Sequence, residues 1–383
     1  MIKKVITLLI CLICVFSFSG CKRNKIKQIP DDAIATEVDL LLSQMSKEEK
    51  IMQMIICEIK NDGVLPSPVP SGVILFDENF TTAQKTSQFI SSLSQQSEIP
   101  LIISTDQEGG KVQRLSALSF PKATYIPDMY ALGKTNDMQL AKSVGEVMAK
   151  EMRSLSINLT FAPVLDVYSN KNTVIAHRSF GENPHTVSLM SENLADGLLQ
   201  NGIMPCFKHF PGHGDTDKDS HISLPIINKT KDELYKTELI PFENAIENNA
   251  QIIMIGHIAL PKITGNTTPA TLSKEIITDL LKNEMGFEGI VITDALNMGA
   301  LTKNYSQEDI YKMAVEAGND ILLMPQDISL AVKTIEENFN DERIDQSVKK
   351  ILYFKLKYLT ELPKFDLSVI GSNEHQDIID KIK

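Results

Sequence analysis

An α/β chain closed into a (β/α)8 TIM-type barrel is the fold this 383-residue sequence predicts, on three observations. Eight short apolar or β-branched runs recur along the chain, helical segments with charged faces separate most of them, and ionisable residues follow the runs at one end. Continuous apolar strands divided by helices imply a parallel sheet covered on both faces, and eight of them imply closure on itself. A doubly wound open sheet is the competing arrangement of the same units.

Residues 1–20 stand apart from the fold. Lys3 and Lys4 precede an apolar run over 5–16, and small residues lead to Gly20 and Cys21. This start resembles a bacterial lipoprotein signal, with Cys21 as the lipidated first residue and 21–36 as a tether; an uncleaved anchor is the alternative, although the run is short for a full span. The expected location is the cell envelope, outside the cytoplasm and lipid-anchored to the membrane. The net charge is −11, and loss of Lys3 and Lys4 leaves 36 basic against 49 acidic residues, or −13. That balance excludes a nucleic-acid partner, which needs a basic face. Of five cysteines, Cys11 and Cys14 leave with the signal and Cys21 is acylated. Cys57 and Cys206 lie in apolar segments and read as core, with a bond between them left open.

The folded part begins with Ser46 and Glu49, the N-cap and N3 of a capping box. Strands are predicted over 53–57, 72–76, 101–104, 158–161, 203–207, 252–255, 290–293 and 320–324, with helices including 141–154, 187–200, 231–248 and 273–283. Pro66, Pro68 and Pro70 between the first two strands predict a loop instead of a full helix, and so an irregular first βα unit. No linker divides 37–362, which reads as one catalytic barrel, and the polar tail 363–383 is expected to be a short helix or disordered.

In such a barrel the reactive groups gather at the C-terminal ends of the strands. Asp106, Asp166, Lys208 with His209, His257 and Asp294 each follow a predicted strand. Any one of them could be an ordinary solvated strand end, but five together point to a site. The densest segment runs from Lys208 to His221 and holds three histidines and several carboxylates. It lacks the spacing of a zinc site, and its likeness to a calcium loop fails at Ser220 and Ile226, so no metal is assigned. Gly212 and Gly214 predict a mobile loop over the rim. Asp219 stands two residues before His221, close enough to fix its tautomer and let the other nitrogen act as general acid and base. Asp294, a lone carboxylate at a strand end, suits a nucleophile.

The run Lys208-His209-Phe210-Pro211-Gly212-His213-Gly214-Asp215-Thr216, followed by Asp219-Ser220-His221, resembles the signature of the β-N-acetylglucosaminidases of glycoside hydrolase family 3. Asp106-Gln107-Glu108-Gly109-Gly110, Phe161-Ala162-Pro163-Val164-Leu165-Asp166, Arg178-Ser179-Phe180-Gly181 and Thr293-Asp294-Ala295 agree with it in order. The resemblance implies Asp294 as the nucleophile, His221 with Asp219 as the acid/base pair, and Asp106, Arg114, Arg178, Lys208 and His209 as substrate-binding residues. Lys111 stands where the family commonly has Arg, which puts a bidentate role there in doubt. Ala295 follows the nucleophile where the β-glucosidase relatives typically carry Trp, and the chain has no Trp at all. That favours an N-acetylhexosamine over glucose.

The implied activity is a retaining exo-glycosidase, a β-N-acetylhexosaminidase that releases β-linked N-acetylglucosamine from peptidoglycan fragments or related glycans. It would need no cofactor and act as a monomer on a carbohydrate substrate, with a membrane as its other partner through the lipid anchor. The rival readings are an exo-β-glucosidase of the same family and a catalytically silent glycan-binding lipoprotein.

Overall fold

The computed structural model describes residues 30–169, 175–216, 223–360 and 362–382. The signal-like segment, Cys21 and most of the tether lie outside them. Eight parallel strands form the barrel: β1 Ile55–Glu58, β2 Gly72–Leu75, β3 Ile102–Thr105, β4 Leu159–Thr160, β5 Met204–Pro205 continuing as Phe207–Phe210, β6 Ile252–Ile255, β7 Ile290–Thr293 and β8 Leu322–Leu323. β8 pairs with β1, and the order then runs β1-β2-β3-β4-β5 on one arc and β5-β6-β7 on the other. The ring closes where Ile321 bridges Ile292 and the Ile321 N–H bonds the Val291 carbonyl. The open-sheet alternative is thereby excluded.

Local chemistry explains where the strands depart from the sequence prediction. β4 is two residues long because the Asn158 amide already serves the Ile103 N–H and the Leu101 carbonyl in place of a ladder pair. β5 is split because Pro205 has no N–H to give, while the Cys206 N–H is shared between the Thr160 and Ala162 carbonyls. The predicted helix over 231–248 is two helices, Lys231–Leu234 and Ile240–Glu247, since Pro241 sits in the first turn of the second and starts it afresh. The helix predicted over 273–283 is present as a π-wound helix, Glu275–Glu284. The capping box is formed as read, with the Ser46 side chain accepting from the Glu49 N–H and the Glu49 carboxylate accepting from the Ser46 N–H. Between β1 and β2 no helix forms. Cys57 and Cys206 are both buried free thiols, and burial raises the Cys57 thiol to about 11, which makes it a poor nucleophile.

The C-terminal segment is docked. It ends in a helix, Asn373–Ile379, whose buried His375 meets the buried carboxylate of Glu151 through Nδ1 at 2.9 Å. Glu151 also accepts from the Gly371 N–H and from the N–H and hydroxyl of Thr124.

At the opposite end of the barrel from the strand termini, Lys355 is 1% exposed and donates to Gln53 Oε1 at 2.8 Å. No other partner for it is recorded among the described residues, and burial lowers its ammonium to about 7. Between pH 7 and the ordinary lysine value the unfolded chain therefore binds more protons than the folded one, so this group makes stability rise with pH across that window. Urea unfolding at pH 7 and pH 9 should show that rise in the parent protein and a flatter profile in Lys355→Met, with the variant more stable at pH 7 by roughly 1–4 kcal/mol.

Candidate active site

A cavity of about 290 Å³ opens at the C-terminal ends of the strands. The sequence-predicted residues Asp106, Arg114, Arg178, Lys208, His209 and Asp294 all line it. Asp219 and His221 lie outside the described residues. A larger groove of about 630 Å³ is at the other end, beside the starts of β6 and β7, where a barrel's conservation serves stability and not chemistry.

The binding wall is built on the continuation of β3. Past Thr105, the chain makes a small antiparallel hairpin, Gln107–Gly109 against Val112–Gln113, and its turn brings Asp106, Glu108 and Arg114 to the rim. Gly109 and Gly110 take positive φ in the turn (+107° and +58°), and a Cβ at Gly109 would fall 2.7 Å from the Pro127 carbonyl oxygen. Glu108 is the hub. It receives the Arg178 guanidinium as a fork, Nε to Oε2 and Nη2 to Oε1 both at 2.8 Å, and Lys208 Nζ at 2.6 Å. Burial opposes its charge, but Arg178 and Lys208 hold its carboxyl far below the usual range, and Lys208 is raised in turn by Asp106 and Glu108 against its own burial. Lys208 also reaches Asp106 Oδ1 at 2.9 Å.

Glu108 stood inside a recognised block without a role assigned to it. Its signal was the carboxylate two residues from Asp106 beside two cations elsewhere in the motifs, a pairing that only the fold reveals. Because Glu108 and Lys208 are almost wholly buried, Glu108→Ala strands Arg178 and leaves Lys208 only Asp106; its expected cost is about 3–5 kcal/mol, measured by urea unfolding.

Arg114 differs from Arg178. Its Nη atoms make only long contacts, 3.5 Å to Asp77 and 3.9 Å to Asp106, its Nε has no acceptor among the described residues, and its guanidinium lies over the Phe76 ring at 5.4 Å. Two of the Arg178 donors are committed to Glu108, whereas Arg114 keeps its own for a ligand.

Asp166 does not face the cavity. It is fully buried and accepts from His209 Nδ1 at 2.7 Å and from the backbone N–H groups of His209 and His213, so it braces β5 and the segment after it. That segment is tightly fitted at its glycines: a Cβ on Gly212 would lie 2.8 Å from Glu238, and one on Gly214 1.7 Å from the Val167 carbonyl oxygen. The calcium-loop likeness is further weakened at Asp215, whose Oδ2 pairs with Lys229 at 3.0 Å. His213 lines the cavity, and burial pulls its imidazole below the usual range.

Asp294 stands one residue beyond β7, half-buried, with its N–H on the Ile255 carbonyl and its Oδ1 accepting from the Ala295 N–H at 2.8 Å. Burial alone would raise its carboxyl, but the positive fields of His257 and His209, the Ala295 N–H and Lys208 together hold it below the ordinary value. It is an ionised carboxylate over an open cavity, the state a nucleophile requires. Most of the remaining wall is apolar, with Phe76, Met254 and Met324 in or just past three strands and Met298 from the segment after β7. Among the described residues no group of three or more His, Cys, Asp or Glu side chains is arranged to hold a metal ion.

Comparison with known proteins agrees with this geometry. Residues 46–354 match the model of the glycosyl hydrolase family 3 N-terminal domain. The chain is 35% identical over 339 residues to "Beta-hexosaminidase A" of Pseudoalteromonas piscicida, covering 79% of this chain and 55% of that protein. It is 33% identical over 269 residues to "Beta-hexosaminidase" of Nitrosomonas eutropha, covering 69% and 76%. Among solved structures, a family 3 β-N-acetylglucosaminidase from a Paenibacillus species superposes with a TM-score of 0.80 at 31% identity, covering 88% of this chain and 68% of that one. A β-glucoside phosphorylase, BglX, bound to 2FGlc, gives a TM-score of 0.84 at 26% identity, covering 91% and 66%. The chain thus spans about half the length of the first relative.

Proposed function

The chain belongs to glycosyl hydrolase family 3, and on that premise we propose that it is a retaining β-N-acetylhexosaminidase removing terminal β-linked N-acetylglucosamine. The observation that carries this reading is the ionised Asp294 beneath a cavity whose facing wall is Asp106, Lys208 and Arg114. Asp106 can accept from sugar hydroxyls and Arg114 can donate to them. A volume near 290 Å³ lies at the small end of ligand sites, typically about 300–1,000 Å³, and suits one sugar residue.

In the first step Asp294 attacks the anomeric carbon while the bond to the leaving oxygen breaks, and that oxygen takes a proton from the His221 imidazolium. In the second step neutral His221 takes a proton from water, the water oxygen bonds the same carbon, and the ester to Asp294 breaks. Two displacements retain configuration. Asp219 would stabilise the imidazolium each time it forms. The roles of His221 and Asp219 rest on the motif that contains them. Two curated relatives named β-hexosaminidase, together with Ala295 in place of a bulky aromatic, support the acetamido sugar over glucose.

We extend the proposal to location and substrate. The signal-like start and Cys21 support an exported, lipid-anchored protein of the cell envelope, where peptidoglycan fragments are the accessible source of N-acetylglucosamine. Purified protein offered 4-nitrophenyl β-N-acetylglucosaminide and the matching glucoside should turn over the first and leave the second nearly untouched; the reverse preference would overturn the assignment. Phosphate belongs in the assay as a second acceptor, because one matched structure is described as a phosphorylase. Sugar 1-phosphate as the main product would replace hydrolysis with phosphorolysis while leaving the nucleophile in place.

A further inference from the structure

His257 follows the end of β6 and is fully buried. Its Nδ1 lies 2.7 Å from Thr271 Oγ1 and its Nε2 2.9 Å from the Ala295 carbonyl oxygen. Nε2 faces a carbonyl, so it donates. The state of Nδ1 follows from counting protons at Thr271, whose Oγ1 also lies 3.0 Å from the Gly256 carbonyl oxygen and 3.2 Å from that of Ile255. The hydroxyl has one proton. Given to Nδ1, it leaves the hydroxyl oxygen facing two buried carbonyl oxygens with nothing between them. Given to either carbonyl, it obliges Nδ1 to donate to the hydroxyl oxygen, and then both ring nitrogens and the hydroxyl each make a hydrogen bond at these contacts. The second arrangement has a proton on both ring nitrogens.

A buried cation requires an anion close by. Asp294 supplies it: His257 exerts the largest of the attractive influences on that carboxylate, ahead of His209 and Lys208 from β5. The two groups also share one peptide link, since the Ala295 carbonyl accepts from His257 while the Ala295 N–H donates to Asp294 Oδ1.

We propose that His257 is a permanently protonated positioning residue for Asp294, keeping the carboxylate ionised and aiming it through the Ala295 peptide. The proposal rests on Asp294 being the nucleophile, but its first test needs no substrate. The ring 15N resonances of His257, assigned by correlation to its backbone, should stay at doubly protonated values from about pH 5.5 to about pH 8.5. A bare Nδ1 at neutral pH overturns the proposal even if the enzyme proves to be an active hexosaminidase. In the second test, His257→Gln keeps a donor without the charge, and Thr271→Val removes the acceptor that Nδ1 needs. Both should move the acid limb of kcat/KM on 4-nitrophenyl β-N-acetylglucosaminide upward by about 1 pH unit and lower kcat about tenfold while KM changes little. Thr271→Ser, which keeps the hydroxyl, should restore the parent profile. An acid limb that stays in place in His257→Gln or Thr271→Val overturns the positioning role.

Discussion

Asp294→Ala is expected to lower turnover of 4-nitrophenyl β-N-acetylglucosaminide by at least about 10⁴-fold with little change in fold. The backbone there is held by the β6–β7 ladder, through the Asp294 N–H on the Ile255 carbonyl, so the side chain can be removed without releasing the strand end. What disappears is the only group proposed to bond the anomeric carbon. Asp294→Asn separates shape from charge, and it should be almost as inactive. Circular dichroism checks the fold, and mass spectrometry after a fluorinated-sugar inactivator that keeps the 2-acetamido group should find the label on the peptide carrying Asp294 in the parent protein. Residual activity above about 1%, or label on another carboxylate, would remove Asp294 from the role.

His221→Ala has the second largest expected effect, and its size should depend on the leaving group. A natural glycosidic oxygen departs as a poor alkoxide unless protonated, so the variant should lose about 10²–10⁴-fold on a glycan fragment. Dinitrophenolate needs no proton, and with it the first step should be nearly unaffected. The parent rate should fall toward alkaline pH as the imidazolium is lost, ordinary imidazole titrating near 6.5. In the variant that limb should vanish. Equal losses on both substrates would contradict an acid role. In the chain, Asp219 and His221 fall between Asp215 and Lys229, which pair with each other at 3.0 Å, and the capped helix Lys231–Leu234 follows.

The barrel was legible because burial on both faces leaves a simple mark, an unbroken apolar run, and that mark occurs once per strand. The ends of the runs were less so. Pro205 and the amide of Asn158 alter hydrogen bonding without altering hydrophobicity, and a pattern of apolar residues does not register them. Pro241 did carry a readable sign, a helix start, that the continuous amphipathic pattern masked. At the site, Asp106, Lys208, His209 and Asp294 were found because each stands at or just past the end of a predicted strand. Glu108 was missed because its importance lies in its partners Arg178 and Lys208, 70 and 100 residues further along the chain. Gly212 and Gly214 suggested freedom alone, whereas here Gly214 also lets the chain lie against the Val167 backbone and Gly212 against the Glu238 side chain.

The clasp at Glu151 reaches further than the tail it fastens. Thr124, held by that carboxylate, is two residues before Ile126, whose carbonyl takes the Gly110 N–H and whose N–H is taken by Gln113 Oε1. Those two contacts grip the turn of the hairpin that carries Asp106 and Glu108 at the cavity. The last twenty or so residues are thus tied through Glu151 to the binding wall, and a chain ending at residue 362 is expected to keep its nucleophile while loosening the turn that carries Asp106.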